Sequence, residues 1–159
     1  MAETTEHELN SAASLIAQLG LEAHPEGGWF RETWRSAPGS DGRAKGTAIL
    51  FLLRAGEASH WHTVDAEELW FWQSGDPLLL RIATSEAGPV EDIRMGPDAS
   101  AGDQLQGVVP TAAWQAAATL TPKSGGFGYS LVSCVVVPGF DFAGFTLAAP
   151  EWEPGGASV

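Results

Sequence analysis

Apolar and polar positions along this chain follow two different rhythms. From Ala12, the apolar residues Leu15, Ile16 and Leu19 recur at the spacing of one helical stripe. Thr5-Glu6-His7-Glu8 reads as a capping box ahead of them, with Thr5 as N-cap and Glu8 reaching back, and Gly20 is placed to stop the helix. The spacing predicts one amphipathic helix over residues 6–19.

Beyond it the period is two. From Trp29 to Arg35, Phe30, Glu32 and Trp34 share one strand face, while Trp29, Arg31, Thr33 and Arg35 share the other. Ser36 to Lys45 is a polar loop, and an apolar run of strand length follows over 47–53. Further strands are expected at 58–63, 67–73, 77–84, 90–95, 104–109, 112–118, 128–137 and 142–148. Gly and Pro punctuate them, as in His24-Pro25-Glu26-Gly27-Gly28, Gly75-Asp76-Pro77, Gly96-Pro97 and Pro138-Gly139. Many short strands behind one leading helix predict an all-β sandwich or jelly roll, with no βαβ alternation and no repeat. We expect a single domain over 1–159, with a barrel over 28–148. The tail over 150–159 has little to bury, so it is expected to be loose or to pack on a partner.

Charge narrows the function classes. Twenty acidic residues against 8 basic ones give a formal net charge of -12. That balance speaks against nucleic acid, which needs a basic footprint, and against an anionic membrane surface. The N-terminus carries Glu3, Glu6 and Glu8 where a secretory leader would be basic and then apolar, and no run reaches the length of a membrane span, so the cytoplasm is expected. The single cysteine, Cys134, sits in a strand-like apolar run and reads as a buried, inert thiol.

Chemistry concentrates in Ser59-His60-Trp61-His62-Thr63-Val64-Asp65-Ala66-Glu67-Glu68-Leu69-Trp70. On a regular strand His60 and His62 point the same way and Trp61 the other. Two imidazoles and a carboxylate from the next strand can hold a divalent metal or transfer protons. Strand parity puts Glu68, Trp70 and Trp72 on one face and Glu67 on the other, without saying which face is inside. Seven tryptophans are many for 159 residues. Some belong to a core, while Trp70 and Trp72 are candidates to wall a small-molecule pocket together with Phe30 and Glu32.

These residues resemble the cupins. His60-Trp61-His62, Glu68 and Gly75 are similar to the first cupin motif, with one extra residue before Glu68. Pro110-Thr111-Ala112-Ala113-Trp114-Gln115 resembles the second, but Ala112 stands where that motif has Gly and Gln115 where it has the metal-binding His. Together with His24 to Phe30, Asp65 to Trp70, Gly75 to Leu78 and Pro138 to Phe142, the chain is similar to a small cupin family long described as a domain of unknown function. That resemblance implies a double-stranded β-helix, the cupin jelly roll, with one N-terminal helix. It also implies a homodimer and kinship with epimerases of the dTDP-4-dehydrorhamnose 3,5-epimerase type. The family pattern of an acidic pair before Leu/Ile-Trp favours Glu68 over Glu67 as the site carboxylate.

Three functions follow as expectations. In a metal-free isomerase or epimerase, His60 or His62 is the base, Glu68 orients it and Gln115 holds a substrate oxygen. In a metal-assisted enzyme, His60, His62, Glu68 and Gln115 hold one divalent ion (Zn, Mn, Fe or Ni), although an amide is a weaker ligand than imidazole. The third is a non-catalytic module that binds a small ligand.

Overall fold

The computed structural model describes residues 11–156, so the expected cap at Thr5 and Glu8 lies outside the described residues. Helix α1 covers Ala12–Leu19, shorter than the periodicity predicts. Ser11 is its N-cap in extended conformation, with its hydroxyl accepting the Ser14 N–H at 3.2 Å. That side chain competes with helix continuation and sets the start. Gly20, at φ 64, ends the helix in the left-handed conformation. The apolar stripe Ala12, Leu15, Ile16 and Leu19 packs on Leu21, Leu52, Tyr129 and Leu131.

Eleven strands follow. They are β1 (Glu22–Ala23), β2 (Trp29–Arg35), β3 (Thr47–Arg54), β4 (Ala58–Val64), β5 (Glu67–Gly75), β6 (Leu78–Ala83), β7 (Glu91–Met95), β8 (Gln106–Val109), β9 (Trp114–Thr119), β10 (Tyr129–Val137) and β11 (Phe145–Leu147). Only β1 has no counterpart in the sequence reading, because two residues are too few to show a period. A six-stranded sheet runs β1-β2-β3-β10-β5-β8, and a five-stranded sheet runs β11-β4-β9-β6-β7. All the strand pairs are antiparallel. The two sheets close over a core of Phe51, Leu53, Trp70, Leu78, Leu80, Met95, Val109 and Val132, giving an all-β jelly roll.

Two irregularities position the site. Strand β4 pairs Ser59 with Ala117 and then His62 with Gln115, so three steps on β4 oppose two on β9. This one-residue bulge resets the alternation. Ser59 and His62 both turn inward, at 1% and 2% exposure, while His60 turns out. The expectation that both imidazoles share a face is therefore corrected. The second irregularity is the β1–β2 turn, in which the bulged strand's His60 N–H donates to Glu26 O at 2.8 Å. Gly27, at φ 103, lies so close to β4 that a Cβ there would stand 2.2 Å from Ala58 O. Only glycine brings the turn down onto the strand, and this lowers Glu26 into the barrel.

The tail is also tied to its own chain. Ala148 N–H donates to Trp61 O, Gly155 N–H donates to Glu86 O, and Trp152 stacks on Trp114 at 4.3 Å. Up to Gly156 the segment is a strap on the outer face of the five-stranded sheet rather than a loose end. No helix among the described residues is long and apolar enough to cross a membrane.

Candidate active site

Strand register decides which side chains meet. Facing partners Ile49 and Cys134, Thr47 and Val136, and Val136 and Glu68 put one inward row across β3, β10 and β5. Glu32, opposite Ile49, and Phe30, opposite Phe51, extend it across β2. From the other sheet, His62 and its cross-strand partner Gln115 point in. Between them lies a cavity of about 320 Å³, lined by this row, by His24, Glu26, His62 and Val64, and by Arg35, Phe140, Asp141 and Phe142 at its mouth. The Pro138 to Phe142 segment is held there by Arg43, which donates to Gly139 O at 2.7 Å and grips Asp65 with two hydrogen bonds. Phe140 N–H also donates to Thr47 Oγ1.

The floor carries the chemistry. His62 Nδ1 lies 2.7 Å from His60 O, so this nitrogen donates and the tautomer is fixed. Nε2 then faces Glu26 Oε2 at 3.1 Å. Burial pushes the Glu26 carboxyl up to about 8, and the nearby Ser59 hydroxyl opposes this. The Ser59 hydroxyl completes no hydrogen bond of ordinary geometry among the described residues. Burial lowers His62, against an opposing pull from Glu68. At neutral pH the pair therefore holds one proton, on Glu26, which donates it to the imidazole. His24 accepts the Glu26 N–H at Nδ1 and is lowered to about 4 by burial and by His62, so it is neutral. Its ring meets Phe30 edge-on at 4.5 Å.

Glu68 is the second acid. Burial raises it to about 7, with Glu26 adding to the rise and His62, Gln115 and Cys134 opposing it. Gln115 Nε2 donates to Glu68 Oε2 at 2.8 Å, and Trp70 Nε1 donates to Gln115 Oε1 at 3.1 Å. The chain Trp70–Gln115–Glu68 thus fixes the carboxyl and uses both ends of the amide. Cys134 is fully buried against Glu68 and its thiol is pushed well up, so it is protonated.

His62, Glu68, Phe30 and Glu32 reach the cavity. Four other candidates do not line it. His60 donates Nε2–H to Ala149 O at 2.8 Å on the outside. Trp70 is a core residue, Trp72 donates to Asp76 O, and Gln115 sits behind Glu68. Glu67 is exposed where Glu68 is buried, which settles the parity question. Sequence reasoning missed His24 and Glu26 as site residues, taking them for turn residues. The signal was their place before Gly27-Gly28, a pair that marks close backbone approach.

The expected metal set does not assemble. His60 is turned away, Gln115 spends its carbonyl on Trp70, and no three His, Cys, Asp or Glu side chains among the described residues converge as ligands. These residues do not fit a divalent ion.

Two closed antiparallel sheets around a polar-floored cavity define the class of protein, a cupin. More narrowly, residues 13–148 match the family described as Cupin superfamily (DUF985), and the chain belongs to it. It is 30% identical to an uncharacterized protein of Saccharomyces cerevisiae, YML079W, over 91% of this chain and 78% of the yeast protein. Among solved structures it is similar to a hypothetical protein from Leishmania major, with a TM-score of 0.77, 33% identity and 86% of each chain covered. A Shewanella oneidensis protein, SO0799, matches with a TM-score of 0.78 and 36% identity, over 87% of this chain and 85% of that one. Bacillus subtilis oxalate decarboxylase shares the fold at a TM-score of 0.58 and 14% identity, over 80% of this chain and 29% of that one.

Proposed function

We propose that the chain is a small-molecule enzyme that moves a proton next to a carbonyl group, an isomerase or epimerase reaction without a metal step. The observation that carries this reading is the floor of the cavity. A protonated Glu26–His62 pair at 3.1 Å stands beside a carboxyl, Glu68, poised at about 7. A general base works best when its pKa is near the operating pH, and Glu68 meets that condition. Glu68 takes the proton from carbon, and the Glu26 carboxyl turns its proton from His62 to the carbonyl oxygen as negative charge develops there. His24 and Cys134 stay neutral and shape the floor. The apolar side chains of Phe30, Ile49, Val64 and Val136 around the floor lower the local dielectric, which strengthens these interactions. In this reading the base is Glu68, and His60 has no part.

Solvent deuterium exchange into a panel of carbonyl compounds, followed by proton NMR, tests the idea. Exchange should fall by roughly 10²- to 10⁴-fold in Glu68→Gln. It should be insensitive to chelators. Exchange that persists in both Glu68→Gln and His62→Gln refutes the assignment. Ligands that bind tightly with no exchange at all would mark a binding module instead.

A further inference from the structure

The mouth of the cavity holds a feature the proton-transfer reading does not use. Arg35 is the only Lys or Arg among the described residues lining the cavity. Its Nε donates to Glu32 Oε1 at 2.8 Å, and its Nη2 donates to Glu32 Oε2 at 2.9 Å and to Phe140 O at 3.0 Å. Asp141 adds a second carboxylate beside the guanidinium. Two-point pairing of this kind occupies one bidentate edge of the guanidinium, the geometry by which Arg grips carboxylate or phosphate.

We propose that Glu32, by holding the Arg35 guanidinium, is the specificity-determining residue that sets this cavity to uncharged carbonyl compounds and turns carboxylated or phosphorylated ones away. The inference rests on the reading that the cavity takes a small carbonyl compound, and it names the class. An incoming anion meets Glu32 and Asp141 at the entrance, where the guanidinium of Arg35 is already paired with Glu32. At the floor it meets Glu26 and Glu68 with two neutral imidazoles. It would lose its hydration and gain no charged partner in return. An uncharged ketone loses little, accepts a hydrogen bond from the protonated Glu26 and lays its apolar flank on Phe30, Ile49 and Phe140. The volume, about 320 Å³, is at the small end of ligand cavities. Nucleotide sugars, the diphosphate substrates that kinship with the epimerases implies, fall on the refused side.

Titration calorimetry with the full chain at pH 7 tests this with two probes of similar shape, methyl phenylpyruvate and phenylpyruvate. They share a ring and a ketone and differ by one charge and one methyl group, and the methyl group is the same for every variant compared. The wild type should prefer the ester by about tenfold or more. Glu32→Gln frees Arg35 and should shrink that preference at least about fivefold, through tighter binding of phenylpyruvate. The double variant Glu32→Gln/Arg35→Gln should lose this gain. Glu32 is partly exposed, with 35% of its side chain accessible, so the substitution leaves the core intact. The proposal fails if the wild type binds phenylpyruvate as well as the ester, or if Glu32→Gln leaves the ratio unmoved. It also fails if neither probe binds at about 10 mM. Selective ester binding without deuterium exchange would sink the proton-transfer reading and leave this one standing. Exchange coupled with a preference for the anion would do the reverse.

Discussion

Replacing Glu26 by glutamine should change how stability depends on pH, in a direction the site fixes. Glu26 is raised from 4.5 to about 8, so the folded state holds a proton that the unfolded chain has already lost. Its contribution is whole below pH 4.5 and is lost as pH rises through 8. Glu68, raised to about 7, behaves the same way. His24 is lowered from 6.5 to about 4, so its contribution is whole above pH 6.5 and is lost as pH falls through 4; His62 follows that direction. Between pH 4.5 and 6.5 the two carboxyls and two imidazoles act in opposite senses, and stability changes little. Above pH 6.5 the imidazoles have finished in the unfolded chain and only the carboxyls remain. At about 1.36 kcal/mol per pH unit, Glu26 alone takes about 2 kcal/mol from the wild type between pH 6.5 and 8. Glutamine has the same shape and no charge to bury. Urea unfolding of both proteins at half-unit pH steps reads the difference. The Glu26→Gln curve should gain about 2 kcal/mol on the wild type across that window. Parallel curves would mean that Glu26 is ionised and solvated in the folded protein, and the proton count of the floor would be wrong.

Other outcomes follow from the same geometry. Gly27→Ala would place a Cβ against Ala58 O, whereas Gly42, also at positive φ, has open space around it. Thermal melting should show Gly27→Ala costing roughly 3 kcal/mol or more and Gly42→Ala only about 1. Ala112 holds φ 63 where the cupin motif has glycine, so Ala112→Gly should raise stability by about 1 kcal/mol, read from the same melts. His60→Ala removes the bond to Ala149 O and should cost about 1 kcal/mol while deuterium exchange stays within about twofold of wild type. A tenfold loss there would return His60 to the site. The homodimer implied by the resemblance should appear by sedimentation at micromolar concentration. Trp34, 51% exposed on β2, should be a contact, with Trp34→Asp shifting the protein to monomer.

The order of strands was legible because each carries its own period and its own Gly/Pro punctuation. Thr47 to Arg54 and Tyr129 to Val137 read as apolar runs because they are central in their sheet and covered on both faces. The site was legible in part. His62 stood out by residue type, Glu68 was preferred over Glu67 by the family resemblance, and Glu32 and Phe30 stood out by the alternation of their strand. His60 was misplaced because a bulge leaves no mark in a single sequence, and one inserted residue moves a side chain to the opposite face. Glu26 was misjudged because turn residues are normally solvated, and only contact with β4 buries this one. Gln115 was assigned to substrate because its nearest charge partner lies on the other sheet, which no local spacing reports. The helix start at Ala12 is set by the extended backbone and capping hydroxyl of Ser11, which helical spacing alone does not report, and residues 6–10 of the expected helix lie outside the described residues.

His60 connects two distant parts of the chain. Its N–H fastens the loop that brings Glu26 into place, and its ring fastens the strap at Ala149. One residue therefore links the reactive floor to the last stretch of the chain. Anyone adding a purification handle or reporter after Gly156 would be pulling on the segment clasped to that strand.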